Sequence, residues 1–142
     1  MAGNKTMEKF VFLKVKDVMT QEVRTVSPKT QAGELRGLFE RYDFNCFPVL
    51  ENGRLVGVVT KFDFLKILVF RPTSMTPQYE EIMQRPVSEF MTGTPFTVGP
   101  NHPLTRVLEI MIETRKNSFP VLDERSHLVG IITYADVLKY VG

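Results

Sequence analysis

The chain holds a single cysteine, Cys46, so no internal disulfide can staple it and its stability must come from packing. A lone cysteine also agrees with a reducing compartment. No stretch approaches 18 uninterrupted apolar residues, which excludes an obvious membrane-spanning helix. The opening Met1-Ala2-Gly3-Asn4-Lys5-Thr6 lacks the apolar run of a signal peptide, and the expected location is cytoplasmic, with no membrane partner. Charge of one sign is also scarce. Lys and Arg number 18 against 16 Asp and Glu, a net charge of +2, too little for the clustered basic footprint that nucleic acid requires. There are 2 histidines, His102 and His127, remote in sequence from Cys46. They read as a helix cap and a hairpin-tip residue, and no metal site is expected.

What is present is ordinary in bulk and unusual in pattern. Hydrophobic residues make up 43% and charged residues 24%, and 142 residues suffice for one well-cored domain or two interdependent halves. Displacing residues 14–68 by 72 positions lays Met19-Thr20 on Met91-Thr92, Thr25-Val26 on Thr97-Val98, Pro28 on Pro100 and Asn45 on Asn117. Phe47-Pro48-Val49-Leu50 then coincides with Phe119-Pro120-Val121-Leu122. After one inserted residue near Ser126, Leu55-Val56-Gly57 meets Leu128-Val129-Gly130, Thr60 meets Thr133, Asp63 meets Asp136 and Leu65-Lys66 meets Leu138-Lys139. Recurrence of this kind marks a duplicated structural unit.

Each copy reads as strand, helix, hairpin and helix. Val23 to Val26 alternates like a half-buried strand and Ser27-Pro28 ends it. Leu35, Leu38, Phe39 and Tyr42 share one helical face, as do Leu104, Val107, Leu108 and Met111. Pro103 is expected at the first helical position, with His102 or Asn101 as its cap. Asn52-Gly53 between two apolar runs is a hairpin signal, and the longer Asp123–His127 tip answers it in the second copy. Gly33 and Gly37 weaken their helix unless another element approaches closely. The surplus Ile110 and Ile112 read as core, or as an apolar face awaiting a partner. Outside the repeats lie an N-terminal arm, 1–13, whose Phe10 to Leu13 are apolar enough to dock, and an ordered connector, 71–85, bearing a helical turn or two. The repeats themselves span 14–70 and 86–142.

The recurring polar element is Thr60-x-x-Asp63 and Thr133-x-x-Asp136, each where a strand gives way to a helix. A hydroxyl and a carboxylate beside free backbone N–H groups can hold a vicinal diol and an anion. The same spacing is also that of a capping box, with Thr as cap and Asp reaching back. Either reading fits one copy taken alone.

Taken in order, Met-Thr, Thr-Val-x-Pro, the amphipathic helix, Phe-Pro-Val-Leu and Leu-Val-Gly followed by two apolar residues and Thr-x-x-Asp, twice over residues 14–141, resemble a tandem cystathionine-beta-synthase (CBS) domain pair, a stand-alone Bateman module. The resemblance implies an α+β fold of two βαββα repeats packed sheet to sheet with pseudo-twofold symmetry. It also implies two clefts, each shared by the repeats, for adenosine-containing ligands such as AMP, ADP, ATP or S-adenosylmethionine. Carried over by motif, Thr60 and Asp63 should face Phe96, Thr97, Asn117 and Ser118; Thr133 and Asp136 should face Arg24, Thr25, Asn45 and Cys46. Asp would then take the ribose hydroxyls, Thr the ribose or phosphate, and backbone groups before Phe-Pro-Val the base. Many family members carry His or Arg just before Pro-Val to meet phosphate, and this chain has Asn45-Cys46 and Asn117-Ser118 there. Arg115 and Lys116 could substitute, which would favour the Asp63 corner as the anion site; they equally suit the end of a helix macrodipole.

The expected function is therefore a regulatory module sensing adenosyl compounds, acting on an unidentified regulated protein and forming a homodimer through helical faces. The alternative is a scaffold or dimerisation module with vestigial clefts. An enzyme is not expected, because the recurring polar residues place no base beside a nucleophile, and no cofactor is implied.

Overall fold

A computed structural model describes residues 9–69, 79–93 and 95–140. The chain forms two compact units, Arg24–Pro95, and Met1–Val23 together with Phe96–Gly142. Both are small α+β assemblies built on a hairpin.

In the Arg24–Pro95 unit, helix Ala32–Arg41 buries Ala32 and Leu35 and packs Leu38 and Phe39 on the core, the face that its periodicity predicts. Strands Cys46–Glu51 and Arg54–Thr60 pair antiparallel through Asn52-Gly53. Both turn residues are left-handed, at φ 52° and 79°, as a type I′ turn between twisted strands demands. The strand expected over Val23–Val26 is reduced to one parallel bridge between Val26 and Val49. Val26 N–H donates to Pro48 O at 3.0 Å and Leu50 N–H to Val26 O at 2.8 Å. Pro48 has no N–H with which to continue that ladder, so it stops there.

Helix Lys61–Leu65 and a 3₁₀ turn, Lys66–Leu68, close the hairpin. Of the connector, residues 71–78 lie outside the described residues, while Tyr79–Met83 is helical and docks on the first helix. A Cβ on Gly33 would sit 3.3 Å from Met83 Cβ, which accounts for that glycine; Gly37 has nothing within 4 Å and no such reason. Thr92–Gly93 then adds a third strand, with Val58 opposite Thr92. The core is Val26, Ala32, Leu35, Phe47, Val49, Val59, Ile67, Val87 and Phe90.

The second unit repeats the plan. Strands Ser118–Leu122 and Leu128–Thr133 pair antiparallel, Val98 bridges Val121 in parallel, and Thr20 bridges Ile131. At the longer hairpin tip, Asp123 Oδ1 accepts from the N–H groups of Arg125 and His127, both at 2.9 Å. Of the arm, Phe10 is buried while Phe12 is 83% exposed, so docking falls to Phe10 and Leu13.

Helix Leu104–Thr114 buries Leu104, Val107, Ile110 and Met111 and leaves Ile112 outside. Its cap differs from the sequence expectation. Pro103 is extended, at φ −60° and ψ 138°, and stands before the helix rather than in its first turn. Neither Asn101 nor His102 caps it: His102 Nδ1 accepts from Gly99 N–H at 3.2 Å, and the first helical N–H, on Leu104, donates to Leu13 O at 2.9 Å. The arm has taken over the capping role.

Sequence repeats and compact units are thus cut differently. The Met-Thr that opens one repeat completes the hairpin of the other: Thr92 pairs beside Val58, and Thr20 beside Ile131.

Candidate functional site

Thr60 leaves its strand extended, at φ −111° and ψ 167°, and caps helix Lys61–Leu65. Its Oγ1 accepts from Asp63 N–H at 3.0 Å, and its own N–H donates to Asp63 Oδ2 at 3.0 Å. Thr133 and Asp136 repeat this reciprocal box at 3.2 and 3.0 Å. The capping reading of Thr-x-x-Asp is therefore realised in both copies.

Capping alone does not explain the burial. Asp63 is 3% exposed and Asp136 6%, and an ionised group taken that far from water needs several donors. A donor that both copies add is a threonine the repeat contains and local spacing conceals. Thr92 Oγ1 donates to Asp63 Oδ1 at 3.1 Å, and Thr20 Oγ1 to Asp136 Oδ1 at 3.0 Å. Both come from the recurring Met-Thr, whose role sequence reading missed although its duplication pointed to one. The same contact explains the recurring Leu-Val-Gly. A Cβ on Gly57 would lie 2.7 Å from Thr92 O, and one on Gly130 2.9 Å from Thr20 O and 2.6 Å from Met19 Sδ. Only glycine lets the Met-Thr segment lie so close.

Register gathers each unit's candidates at one end of its sheet. Cys46 is opposite Thr60, and Asn45 O accepts from Lys61 N–H at 3.1 Å. Arg24 and Thr25 lead into the Val26 bridge on the far side of the same strand, with the Arg24 guanidinium 4.1 Å from the Tyr42 ring centroid. In the second unit Ser118 is opposite Thr133, and Asn117 O accepts from Tyr134 N–H at 2.9 Å. Phe96 and Thr97 lead into the Val98 bridge, and the Phe96 ring, 45% exposed, tilts against Phe119 at 5.4 Å. Each Asn carbonyl thus gives one lone pair to the helix that its Thr caps, tying strand entry to strand exit.

Arg115 and Lys116 follow helix Leu104–Thr114, with Arg115 left-handed at φ 57° and both exposed. They occupy the place where cations offset a helix macrodipole. His127 Nδ1 lies 3.7 Å from Asp123 at the hairpin tip, and among the described residues no three His, Cys, Asp or Glu side chains converge as a metal site would need. Among the described residues, hollows within the units include one of about 530 Å³ between Gly99–His102 and Leu122–Arg125 and one of about 260 Å³ among Arg36, Phe39, Glu40, Lys61 and Phe64. Neither is lined by Asp63 or Asp136.

The CBS domain family model matches residues 15–70 and 87–142. The chain belongs to the CBS domain family. Its two CBS domains resemble the CBS domain-containing protein YhcV of Bacillus subtilis, 32% identical over 123 residues that cover 87% of this chain and 81% of YhcV. Protein MJ1225 of Methanocaldococcus jannaschii is 32% identical over 130 residues, 89% of this chain; its crystal structure superposes with a TM-score of 0.82 over 99% of this chain and 53% of that one. The CBS pair spans less than half the length of two M. jannaschii relatives, 46% of MJ1225 and 43% of MJ0188. A crystal structure of CBSX2 in complex with AMP is 26% identical, with a TM-score of 0.74 over 89% of this chain and 93% of CBSX2. Among the described residues no helix is long and apolar enough to cross a membrane.

Proposed function

We propose that this CBS pair is a regulatory module that binds an adenosine-containing ligand, AMP, ADP, ATP or S-adenosylmethionine, with Asp63 and Asp136 as the acceptors for ribose hydroxyls. The observation that carries the reading is the duplicated corner itself: a buried carboxylate, held by a backbone N–H and by a threonine from a distant segment, at a helix start. Such a carboxylate is oriented before a ligand arrives, which lowers the ordering cost of binding. CBSX2, which shares the fold and was solved with AMP, supports adenosyl chemistry for the family. Binding that favours one arrangement of the pair would shift its population and inform a regulated protein. Neither corner sets a general base beside a nucleophile, so the reading is binding and not turnover.

Thermal unfolding with an adenosyl panel tests this. A ligand at 100 times its dissociation constant adds about 2.7 kcal/mol, a rise of roughly 5–10 °C in the midpoint. Asp63→Ala and Asp136→Ala should each reduce the response. Flat midpoints with AMP, ADP, ATP and S-adenosylmethionine alike would sink the proposal.

One observation favours a second reading, a self-associating scaffold. The closing helices leave Phe62 75% and Leu138 61% exposed, apolar surface that a second copy of the chain would cover. Sedimentation of wild type against Phe62→Ser and Leu138→Ser decides it, with a dimer lost in the variants expected on this view and a monomer throughout opposing it.

A further inference from the structure

The two corners share a sequence pattern but differ in how their carboxylates are occupied. A carboxylate offers about four lone-pair positions. At Asp63, Oδ2 accepts from Thr60 N–H and, at 3.3 Å, from the Thr92 hydroxyl; Oδ1 accepts from the same hydroxyl at 3.1 Å and from Lys66 Nζ at 2.7 Å. The Thr92 hydroxyl has one proton and shares it between the two oxygens, so three donors meet this carboxylate, one of them the Lys66 cation. At Asp136, Oδ2 accepts from Thr133 N–H and, at 3.2 Å, from Thr133 Oγ1, while Oδ1 accepts from Thr20 Oγ1 and from no other donor among the described residues. Three donors meet this carboxylate too, and all of them are uncharged.

The difference lies in the lysine three residues on. Lys66 and Lys139 are equivalent in the repeat, yet among the described residues no cation pairs with Asp136. The tertiary reason is visible. Lys66 Nζ spans from Asp63 to the carbonyl of Phe90, at 3.4 Å, and so ties the closing helix to the incoming segment. In the other unit that tie is made by the Tyr140 hydroxyl, which donates to Asp17 O at 3.1 Å, and Lys139 is left in solvent.

We propose that Lys66 is a specificity-determining lock: it occupies and neutralises the Asp63 carboxylate, so that the diol of an adenosyl ligand is accepted first, and with higher affinity, by Asp136. A ribose hydroxyl arriving at Asp63 must displace a cation from a carboxylate that is itself only 5% exposed. At Asp136 it meets an anion that no cation among the described residues competes for, the stronger type of acceptor. The proposal rests on the adenosyl reading above.

Calorimetric titration with AMP of wild type, Lys66→Met, Lys139→Met and Asp136→Asn separates the two ideas. Methionine keeps the stem of a half-exposed side chain, and thermal melts verify that each variant is folded. The lock predicts one tight equivalent in wild type, retained in Lys139→Met and lost in Asp136→Asn. It further predicts a second equivalent, or a weak one strengthened about tenfold, in Lys66→Met. Two equal equivalents in wild type, or a Lys66→Met titration identical to wild type, overturns the lock and leaves adenosyl binding standing. No heat from AMP in any protein overturns the adenosyl reading itself, and the lock with it.

Discussion

Thr92 donates its hydroxyl to the carboxylate of Asp63 at 3.1 Å, across 29 positions of chain, and so fastens the last strand of its unit to the start of the closing helix. Thr20 does the same for Asp136 across 116 positions. A capping box is a local device; these hydroxyls turn each one into a tertiary joint.

Replacing either threonine by valine keeps shape and removes the donor. Thr92→Val and Thr20→Val should each cost about 1–3 kcal/mol, the usual penalty for leaving a buried charged acceptor short of a partner. Urea unfolding midpoints measure it, and a change of only a few tenths would show that the joints hold nothing.

Glycines at two kinds of position should respond with opposite sign. Gly57→Ala drives a Cβ to 2.7 Å from a backbone oxygen and should destabilise by about 1–3 kcal/mol, with Gly130→Ala similar. Gly37→Ala meets nothing within 4 Å in a helix interior and should stabilise by about 0.5–1 kcal/mol. Thermal midpoints that move the same way for all three would contradict the close approach.

Asp123 has its pKa lowered from 3.8, chiefly by the His127 N–H and, in the same direction, by the Arg125 N–H and both residues' charges, against a smaller opposing desolvation. The folded hairpin tip therefore prefers the ionised form. Its contribution is present above the unfolded value and is lost as pH falls through the lowered folded value. NMR titration of the Asp123 carboxyl should give a midpoint below 3.8, and Asp123→Asn should make the tip amide shifts insensitive to pH in that range. A midpoint at or above the ordinary value would refute the hydrogen bonds.

Burial separates phenylalanines that composition treats alike. Phe47 and Phe119 are fully buried, and alanine at either should cost about 3–5 kcal/mol. Phe62, 75% exposed, should change the unfolding free energy of a single chain by no more than about 0.5 kcal/mol when replaced by alanine. Denaturant unfolding at low protein concentration distinguishes them.

What was legible without coordinates was local. Asn52-Gly53 declared its turn because both residues tolerate left-handed backbone. Leu35 with Leu38, and Leu104 with Val107, declared their helical faces by spacing. Thr60-x-x-Asp63 declared its box, since all its partners lie within one helical turn. Pro103 misled, because a proline suits the residue before a helix as well as its first turn, and the choice belonged to Leu13 O. The strand at Val23–Val26 misled similarly: alternation was present, but Pro48 on the facing strand denies it a ladder.

By itself, the order of residues determined that there are two copies of one motif, with a hairpin in each and a Thr-x-x-Asp at each hairpin's end, because turns and periodic faces are settled within a few residues. Tertiary structure alone decided which Met-Thr completes which hairpin, why Gly57 and Gly130 must be glycine, and that Lys66 reaches its aspartate while Lys139 does not. Those outcomes depend on contacts between segments tens of residues apart, whose free energies are realised only once the chain has closed on itself.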